Sequence, residues 1–421
     1  MPAASLQFAA IADDYTGASD LAGMLYLAGV PAVQTFGVPD EEAETGAVPG
    51  GAVIVSLKTR SAPREAAVAL SLRALAQLRK LGPRQVQFKY CSTFDSTPRG
   101  NIGPVTEALL DALGLGCTVA VPALPVNGRT QYLGHLFVNG RLLAESPLRD
   151  HPLNPMTDSD LVRWLAAQTR VRIGLVPLPV VLGGAGEIQR YLRQLEERGV
   201  RIALVDAVTD ADLDAIAAAV VHLPLVTGGS GITLALARLW QRQGSLAAPP
   251  AAPRLPRRRG ALILSGSCSA ATLQQLDRWQ AAGHAVLRVS EPAQAAAAAP
   301  YVREEIARTG IATVASSAAP SSRSLTPHAA RAFEAAFGKL AAQVVGEQRA
   351  DSIIVAGGET SGAVVDALAV KAARVAGLVA PGVPSLVSLD RRQLWLVLKS
   401  GNFGGPDFFA DALRHRETLC N

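Results

Sequence analysis

DSIIVAGGETSGAVVDAL, residues 351–368, decides the fold of this chain. A hydrophobic strand runs into a glycine- and hydroxyl-rich turn, and the turn runs into a helix. The same order recurs in ALILSGSCSAATLQQL (261–276) and LWLVLKSGNFGGPDFFADAL (394–413). Such a turn aims several backbone N–H groups, with the positive end of a helix dipole, at one spot, the local geometry that holds phosphate. Three of them in one domain suggest a nucleotide pocket. No G-x-x-x-x-G-K-[ST] string occurs anywhere, so ATP would be bound without a P-loop.

Outward from these turns, SLAAPPAAPRLPRRRG (245–260) breaks the pattern with proline, alanine and arginine and offers no apolar face. It reads as a linker, dividing a domain of residues 1–244 from one of residues 261–421. Upstream, apolar runs alternate with helical patterns: LQFAAIA, a helix from Ser19 to about Ala28, AVIVSL, and a helix from about Pro63 to Leu81. VQFKY, a helix near 104–113, TVAVPAL, VRIGLV, a helix near 187–198, RIALVDA and VVHLPLV continue the series. Downstream, ALILSG, HAVLRVS, SIIVAGG and LWLVLKS repeat it. The expected class is α/β: two domains, each a mostly parallel sheet flanked by helices, with the active site in the cleft between them. Ligands of such sheets sit beyond the carboxyl ends of the strands. The alanine tract at 291–300 reads as a solvated loop or helix flank without function.

Composition narrows the partners. A formal charge of +5 over 421 residues invites a nucleic-acid reading, but the arginines are scattered and the one dense run, Arg257-Arg258-Arg259, belongs to the linker. Ten Phe, six Tyr and four Trp are too dispersed for a base-stacking platform. Cys91, Cys117, Cys268 and Cys420 show neither CxxC pairing nor zinc spacing and fit a reducing compartment. With no signal-peptide pattern and no apolar stretch of membrane-spanning length, the expected location is the cytoplasm. No nucleic acid and no membrane are expected as partners, and a homo-oligomer is open.

Chemistry concentrates at strand ends of the first domain. AAIADDYTGASDLAGML (9–25) sets Asp13 and Asp14 where a strand stops, with Gly17 turning the backbone and Ser19 or Asp20 opening the helix. Adjacent carboxylates there read either as a helix cap with one solvated partner or as a general base or cation-dependent site. FKYCSTFDSTPRGNIGP (88–104) packs Lys89, Asp95, Ser96, Thr97, Arg99 and Asn101 into one loop, a surface suited to a short polar acid. SLKTRSAP (56–63) adds Lys58, Arg60 and Ser61. The excursion over residues 122–156 contains a hairpin turning at Asn139-Gly140 and reads as a lid or an oligomer contact. Cys91 and the two histidines of that excursion, His135 and His151, read as structural groups. VTGGSGITLALARL (226–239) is a fourth glycine turn whose ligand is open. A serine hydrolase has no G-x-S-x-G to stand on.

Taken in order, DDYTGASD, KTRS, KYCSTFDSTPRGNIGP, the NGRT to HPLNPM excursion, TGGSG, SGSCS, GGETSG and LKSGNFGGPDFF resemble the four-carbon acid sugar kinase family, from about Phe8 to Leu413. The STFDSTPRGNIGP, GHLFVNGRLLAES and SGNFGGPDFF strings are most similar to its 3-oxo-tetronate kinases. The resemblance implies an acid-sugar domain followed by a nucleotide domain, with ATP and Mg2+ phosphorylating a terminal 4-hydroxyl. It places ATP contacts on Ser265, Gly357, Gly358, Glu359, Thr360 and Gly401, and Ser267 and Gly404 of the same turns join them as cofactor-binding candidates. Asp14, Asp95 and Lys89 become the catalytic candidates, Asp14 the first choice of base and Asp95 the second. Asp13, Lys58, Arg60, Ser61, Ser96, Thr97, Arg99 and Asn101 become substrate contacts, while metal ligands stay unassigned. Lys89 and Arg99 are alternatives for the substrate carboxylate or the transferring phosphoryl group. A D-threonate or D-erythronate 4-kinase stays open as an alternative, as does a sugar-acid or nucleotide binding protein without catalysis. A dehydrogenase is weakened by the missing G-x-G-x-x-G.

Overall fold

A computed structural model of the chain describes residues 6–40, 45–150, 154–244, 246, 253–257, 259–316 and 327–420. Two compact units emerge: Met1–Ala32 with Gly37–Pro249, and Val33–Phe36 with Pro250–Asn421. His151 and parts of the 245–260 stretch lie outside the described residues.

In the first unit the strands are β1 (Phe8–Ala12), β3 (Ala52–Ser56), β4 (Val86–Lys89), β5 (Thr118–Val121), β9 (Arg172–Val176), β10 (Val200–Val205) and β11 (Leu225–Gly228). They pair in the order β3-β1-β4-β11-β5-β10-β9, every pair parallel. Continuous apolar runs such as FAAIA, buried at every residue, are what a sheet covered on both faces demands. Helices α1 (Tyr15–Leu27), α2 (Arg64–Lys80), α3 (Ile102–Leu113), α4 (Leu161–Ala166), α5 (Leu178–Leu182), α6 (Ala185–Glu197), α7 (Asp210–Val220) and α8 (Ser230–Arg242) intervene. A small antiparallel sheet of β6 (Arg129–Tyr132), β7 (His135–Val138) and β8 (Arg141–Leu142) forms the excursion. Its hairpin turns where expected, at Asn139 (φ 51°) and Gly140 (φ 79°). Asp206 anchors the β6–β7 turn by accepting from the amides of Leu133 (2.6 Å) and Gly134 (3.0 Å).

The second unit contains β12 (Ala261–Ser265), β13 (Leu287–Val289), β14 (Ile311–Ser316), β15 (Ser352–Ala356), β16 (Ala372–Ala380), β17 (Val383–Ser388) and β18 (Trp395–Lys399). Strands β13-β14-β12-β15-β18 are parallel, and β17 and β16 continue the sheet antiparallel. Its helices are α9 (Ala270–Ala281), α10 (Pro292–Ala296), α11 (Ala299–Thr309), α12 (Pro327–Gly346), α13 (Gly358–Ala367) and α14 (Phe408–Thr418).

Four features depart from the sequence reading. Strand β2 (Ala32–Phe36) pairs antiparallel with β16, Gln34 opposite Ala373, so a segment from the start of the chain completes the second unit. Helix α1 begins at Tyr15 rather than Ser19, because Asp14 is the cap and the Ser19 hydroxyl donates back to Tyr15 O at 3.1 Å, as in a helix interior. The alanine tract is no solvated loop: it forms α10 and the start of α11, with Ala295, Ala298 and Ala299 buried. Within the linker, Leu255 is buried and its amide donates to Leu419 O at 2.8 Å, so that residue packs into the second unit while Arg254, Pro256 and Arg257 are exposed.

Candidate active site

Parallel pairing brings the polar loops of the first unit to one edge. Ala12 is in register with Ser56 and with Lys89, and Lys89 with Gly228, so the loops after β3, β1, β4 and β11 emerge side by side. Asn101 shapes the β3 loop: its Nδ2 donates to the carbonyls of Thr59 (2.7 Å) and Ala62 (2.8 Å). That loop carries Arg60 into the carboxylates. Arg60 Nε donates to Asp13 Oδ2 at 3.0 Å and Nη2 to Asp13 Oδ1 at 2.8 Å; Nη2 also reaches Asp14 Oδ1 at 2.7 Å, and Nη1 reaches Asp95 Oδ2 at 3.3 Å. One planar fork thus serves three acids.

Environment separates those acids. Burial, opposed by Arg60, lifts the Asp13 carboxyl above its ordinary range. Burial pushes Asp14 the same way, but Arg60, Lys89, the Thr16 hydroxyl and the Gly17 amide outweigh it and hold Asp14 low. The Thr16 and Gly17 bonds are 2.8 and 3.0 Å. Side-chain exposure is 5% for Asp13 against 22% for Asp14 and 16% for Asp95, so Asp14 and Asp95 keep more surface open to solvent than Asp13. Lys89 is buried, and no hydrogen bond joins its Nζ to a described residue. A methyl placed on Gly17 would stand 2.2 Å from Asp14 Oδ1 and 3.1 Å from Lys89 Nζ, so only glycine leaves room for these two groups to converge.

The remaining expected contacts divide. Lys58, Ser61 and Arg99 are exposed, with Lys58 Nζ 5.0 Å from the centre of the Tyr15 ring. Ser96 is buried and spends its hydroxyl on Phe94 O (2.8 Å), Gln168 Nε2 (2.9 Å) and Trp164 Nε1 (3.3 Å), a scaffold role like that of Asn101. Thr97 Oγ1 accepts from the Arg99 amide at 3.2 Å. His135 Nδ1 meets Leu133 O at 2.9 Å. Asn154, which the sequence reading did not single out, donates to Asp95 Oδ1 at 2.9 Å; its signal was the HPLNPM string. Asp20 was also missed as a site residue. It is buried on α1, its Oδ1 has no hydrogen-bond partner, and burial raises its carboxyl against the pull of Lys89. The Ser230 hydroxyl at the fourth glycine turn lies close enough to favour that charge without reaching hydrogen-bond geometry.

In the second unit Ser265, Ala356 and Lys399 stand in register at the ends of neighbouring strands β12, β15 and β18. The three glycine turns therefore leave one edge together. The amides of Gly266 (3.0 Å) and Ser267 (3.1 Å) both donate to Ala356 O, and Gly357 N donates to Lys399 O at 2.8 Å. Glycine is required by contact: a Cβ on Gly266 would lie 2.0 Å from Thr360 Oγ1, and one on Gly401 2.4 Å from Ser267 Oγ. Gly357 has φ 128° and Gly404 φ 84°, which other residues resist. Gly358 and Glu359 lie exposed at the start of α13, where helix amides have no intrahelical acceptor. Thr360 is buried behind them. Ser265 is wholly buried, its hydroxyl without a partner, so it lines the turn from beneath instead of presenting that hydroxyl at the surface. Among the described residues no cluster of three His, Cys, Asp or Glu side chains is arranged to hold a metal.

Comparison with known proteins finds two family models on the chain. Residues 8–236 match the model of a sugar-binding N-terminal domain, and residues 262–409 that of a nucleotide-binding C-terminal domain. The chain is 46% identical to the 3-oxo-tetronate kinase of Burkholderia multivorans over 96% of each protein, and 43% identical to that of Salmonella typhimurium over 97% of this chain and 99% of the relative. Among solved structures, a Salmonella typhimurium LT2 protein superposes with a TM-score of 0.84 at 40% identity, covering 97% of this chain and 99% of that one. A Haemophilus influenzae protein gives 0.77 at 38% identity, covering 96% and 99%.

Proposed function

This chain belongs to the four-carbon acid sugar kinase family, and from that premise we propose that it transfers the γ-phosphoryl group of ATP to the 4-hydroxyl of 3-oxo-tetronate, yielding 3-oxo-tetronate 4-phosphate and ADP. The single observation that carries the kinase reading is the register of Ser265, Ala356 and Lys399, which sets three glycine turns on one sheet edge. The substrate follows from the relatives that share nearly the whole chain.

Asp14 receives the proton of the 4-hydroxyl. Its low pKa keeps it ionised and suits a hydroxyl that is oriented early and deprotonated late, as a loose phosphoryl-transfer transition state requires. Asp95, tied to Arg60 and Asn154, is the second acid within reach of the substrate. Lys89, a buried ammonium beside Asp14, meets the charge on the transferring phosphoryl oxygens. Because the Arg60 fork is spent on three acids, recognition of the substrate carboxylate falls to the exposed Lys58 and Arg99, with Ser61 and Thr97 available for hydroxyl groups.

The N-terminal amides of α13 and the turns at Ser267, Gly401 and Gly404 cradle the phosphates. Mg2+ binds chiefly to nucleotide phosphates and needs only one or two protein carboxylates. Glu359, exposed on the first turn of α13, fits that role, and the metal would neutralise charge on the β- and γ-oxygens. We place the reaction in the cytoplasm, where ATP is at hand; no described helix is long and apolar enough to cross a membrane.

The test is ADP release with ATP and Mg2+ in the presence of 3-oxo-tetronate, D-threonate, D-erythronate or no acid. Release with the oxo acid and not with the others is expected. Release with threonate or erythronate alone would overturn the substrate, and none with any acid would overturn the kinase.

A further inference from the structure

We propose that Lys399 is the fixed positive charge of the nucleotide site, a positioning residue that acts on the phosphates through the Gly401 turn, and that nucleotide binding drives proton uptake onto its amine. The inference rests on the kinase reading above and adds a residue and a linkage to it.

Lys399 ends β18 with no exposed surface. Its Nζ donates to Gly401 O at 2.9 Å, Thr272 Oγ1 at 3.0 Å and Ser400 O at 3.2 Å. Gly401 O also accepts from Ser269 Oγ at 2.7 Å and Thr272 Oγ1 at 2.8 Å. Three side-chain donors, from Lys399, Ser269 and Thr272, thus converge to hold one carbonyl inward. In a planar trans peptide the N–H points opposite to the C=O, so the Asn402 amide is turned away from the lysine, on a residue that is exposed. The lysine orders the turn and leaves a donor facing out.

Every partner of this ammonium is neutral, and the Phe408 ring centre is 5.6 Å away. Strands β15 and β17 carry no ionisable side chain. On α9, Asp277 pairs with Arg288 and Arg278 with Asp407. On α14, Asp411 pairs with Arg414, His415 bonds Ser385 and Arg416 bonds Ser352. Glu359 is exposed on the first turn of α13. Nothing in this set compensates the buried charge, and burial lowers the amine to about 8. A polyphosphate held at the turns supplies the missing counter-charge and favours the protonated form. The sign follows: the free site loses its proton as pH rises through about 8, while the occupied site keeps it to higher pH. Binding therefore takes up protons and weakens as pH rises.

The experiment is calorimetric titration of ADP into the whole protein at pH 7 and at about pH 8.5, where ADP is itself fully ionised, each in two buffers of different ionisation enthalpy. At the higher pH the heats should differ between buffers by an uptake of about half a proton, and affinity should fall about threefold from pH 7 to about pH 8.5 for a rise of about one unit in the amine's pKa on binding. Lys399→Met, checked for an intact melting transition, should abolish the uptake and weaken ADP about tenfold. Equal heats in both buffers, with ADP bound, would sink this inference and leave the kinase standing. Uptake that persists in a folded Lys399→Met protein would also sink it. Absence of ADP binding at pH 7 would overturn both readings. If the variant does not fold, the buffer comparison on the unaltered protein decides.

Discussion

Arg60 and Asp13 meet in a two-point ion pair, Nε to Oδ2 at 3.0 Å and Nη2 to Oδ1 at 2.8 Å, at the ends of neighbouring strands β3 and β1. Because Asp13 is buried, this pair is as much a folding constraint as a feature of the site. Arg60→Ala strands the Asp13 charge and should cost about 3–5 kcal/mol, read as a shifted urea midpoint at unchanged slope. Arg60→Lys keeps the charge but cannot reproduce a fork shared by three acids. It should fold and lose about tenfold or more in kcat/KM.

Asp14→Asn removes the proposed proton acceptor while keeping an oxygen to cap α1 through the Gly17 amide. The variant should melt near the parent temperature and lose about a hundredfold or more in kcat. A folded Asp14→Asn protein with full activity would remove Asp14 as the base and bring Asp95 forward.

Gly17→Ala sets a methyl 2.2 Å from Asp14 Oδ1, which must then move. Since alanine is the better helix former, stability should change little while kcat drops about tenfold or more. Melting and turnover measured on one preparation separate the two effects; parallel losses would mean that the glycine serves only the fold.

Asp20, lifted by burial, takes a proton as the pH falls through a value above the ordinary 3.8, whereas Asp14, held low, does so only below it. The acid limb of kcat/KM should therefore contain a step from Asp20, whose charge faces Lys89. Asp20→Asn, locked in the neutral form, should lose that step and lower the plateau by about tenfold. An unchanged pH profile would assign Asp20 to the fold alone.

Gly401→Ala brings a Cβ to 2.4 Å from Ser267 Oγ in the turn proposed to hold nucleotide. It should raise KM for ATP by about tenfold with a smaller effect on KM for the acid. Equal changes in both constants would count against Gly401 as part of the nucleotide site.

Much of this was readable from local pattern. Strand, glycine turn and helix follow one another in sequence in SIIVAGGETSG, and the turn at Asn139-Gly140 needs only its own two residues. Other features had no local signal. Local pattern sets the start of α1 at Ser19, although a cap at the Asp13-Asp14 pair is one of two readings, because Asp14, Ser19 and Asp20 all suit a helix start and only the closed Asp14–Gly17 bond distinguishes them. Polar type likewise did not reveal that Ser96 and Asn101 face the scaffold, because direction depends on what packs opposite.

The chain's own order of residues determined the α/β class and the identity of the groups at each strand end, because both follow from periodicity and turn chemistry over a few residues. Only the tertiary structure decided that Ser265, Ala356 and Lys399 stand abreast, that Val33–Phe36 completes the second unit, and that one Arg60 fork holds three acids. The physical reason is that strand order and burial are set by hydrogen bonds and packing between segments far apart in sequence, so a lysine such as Lys399 shows its lack of a counter-charge only once its surroundings have closed around it.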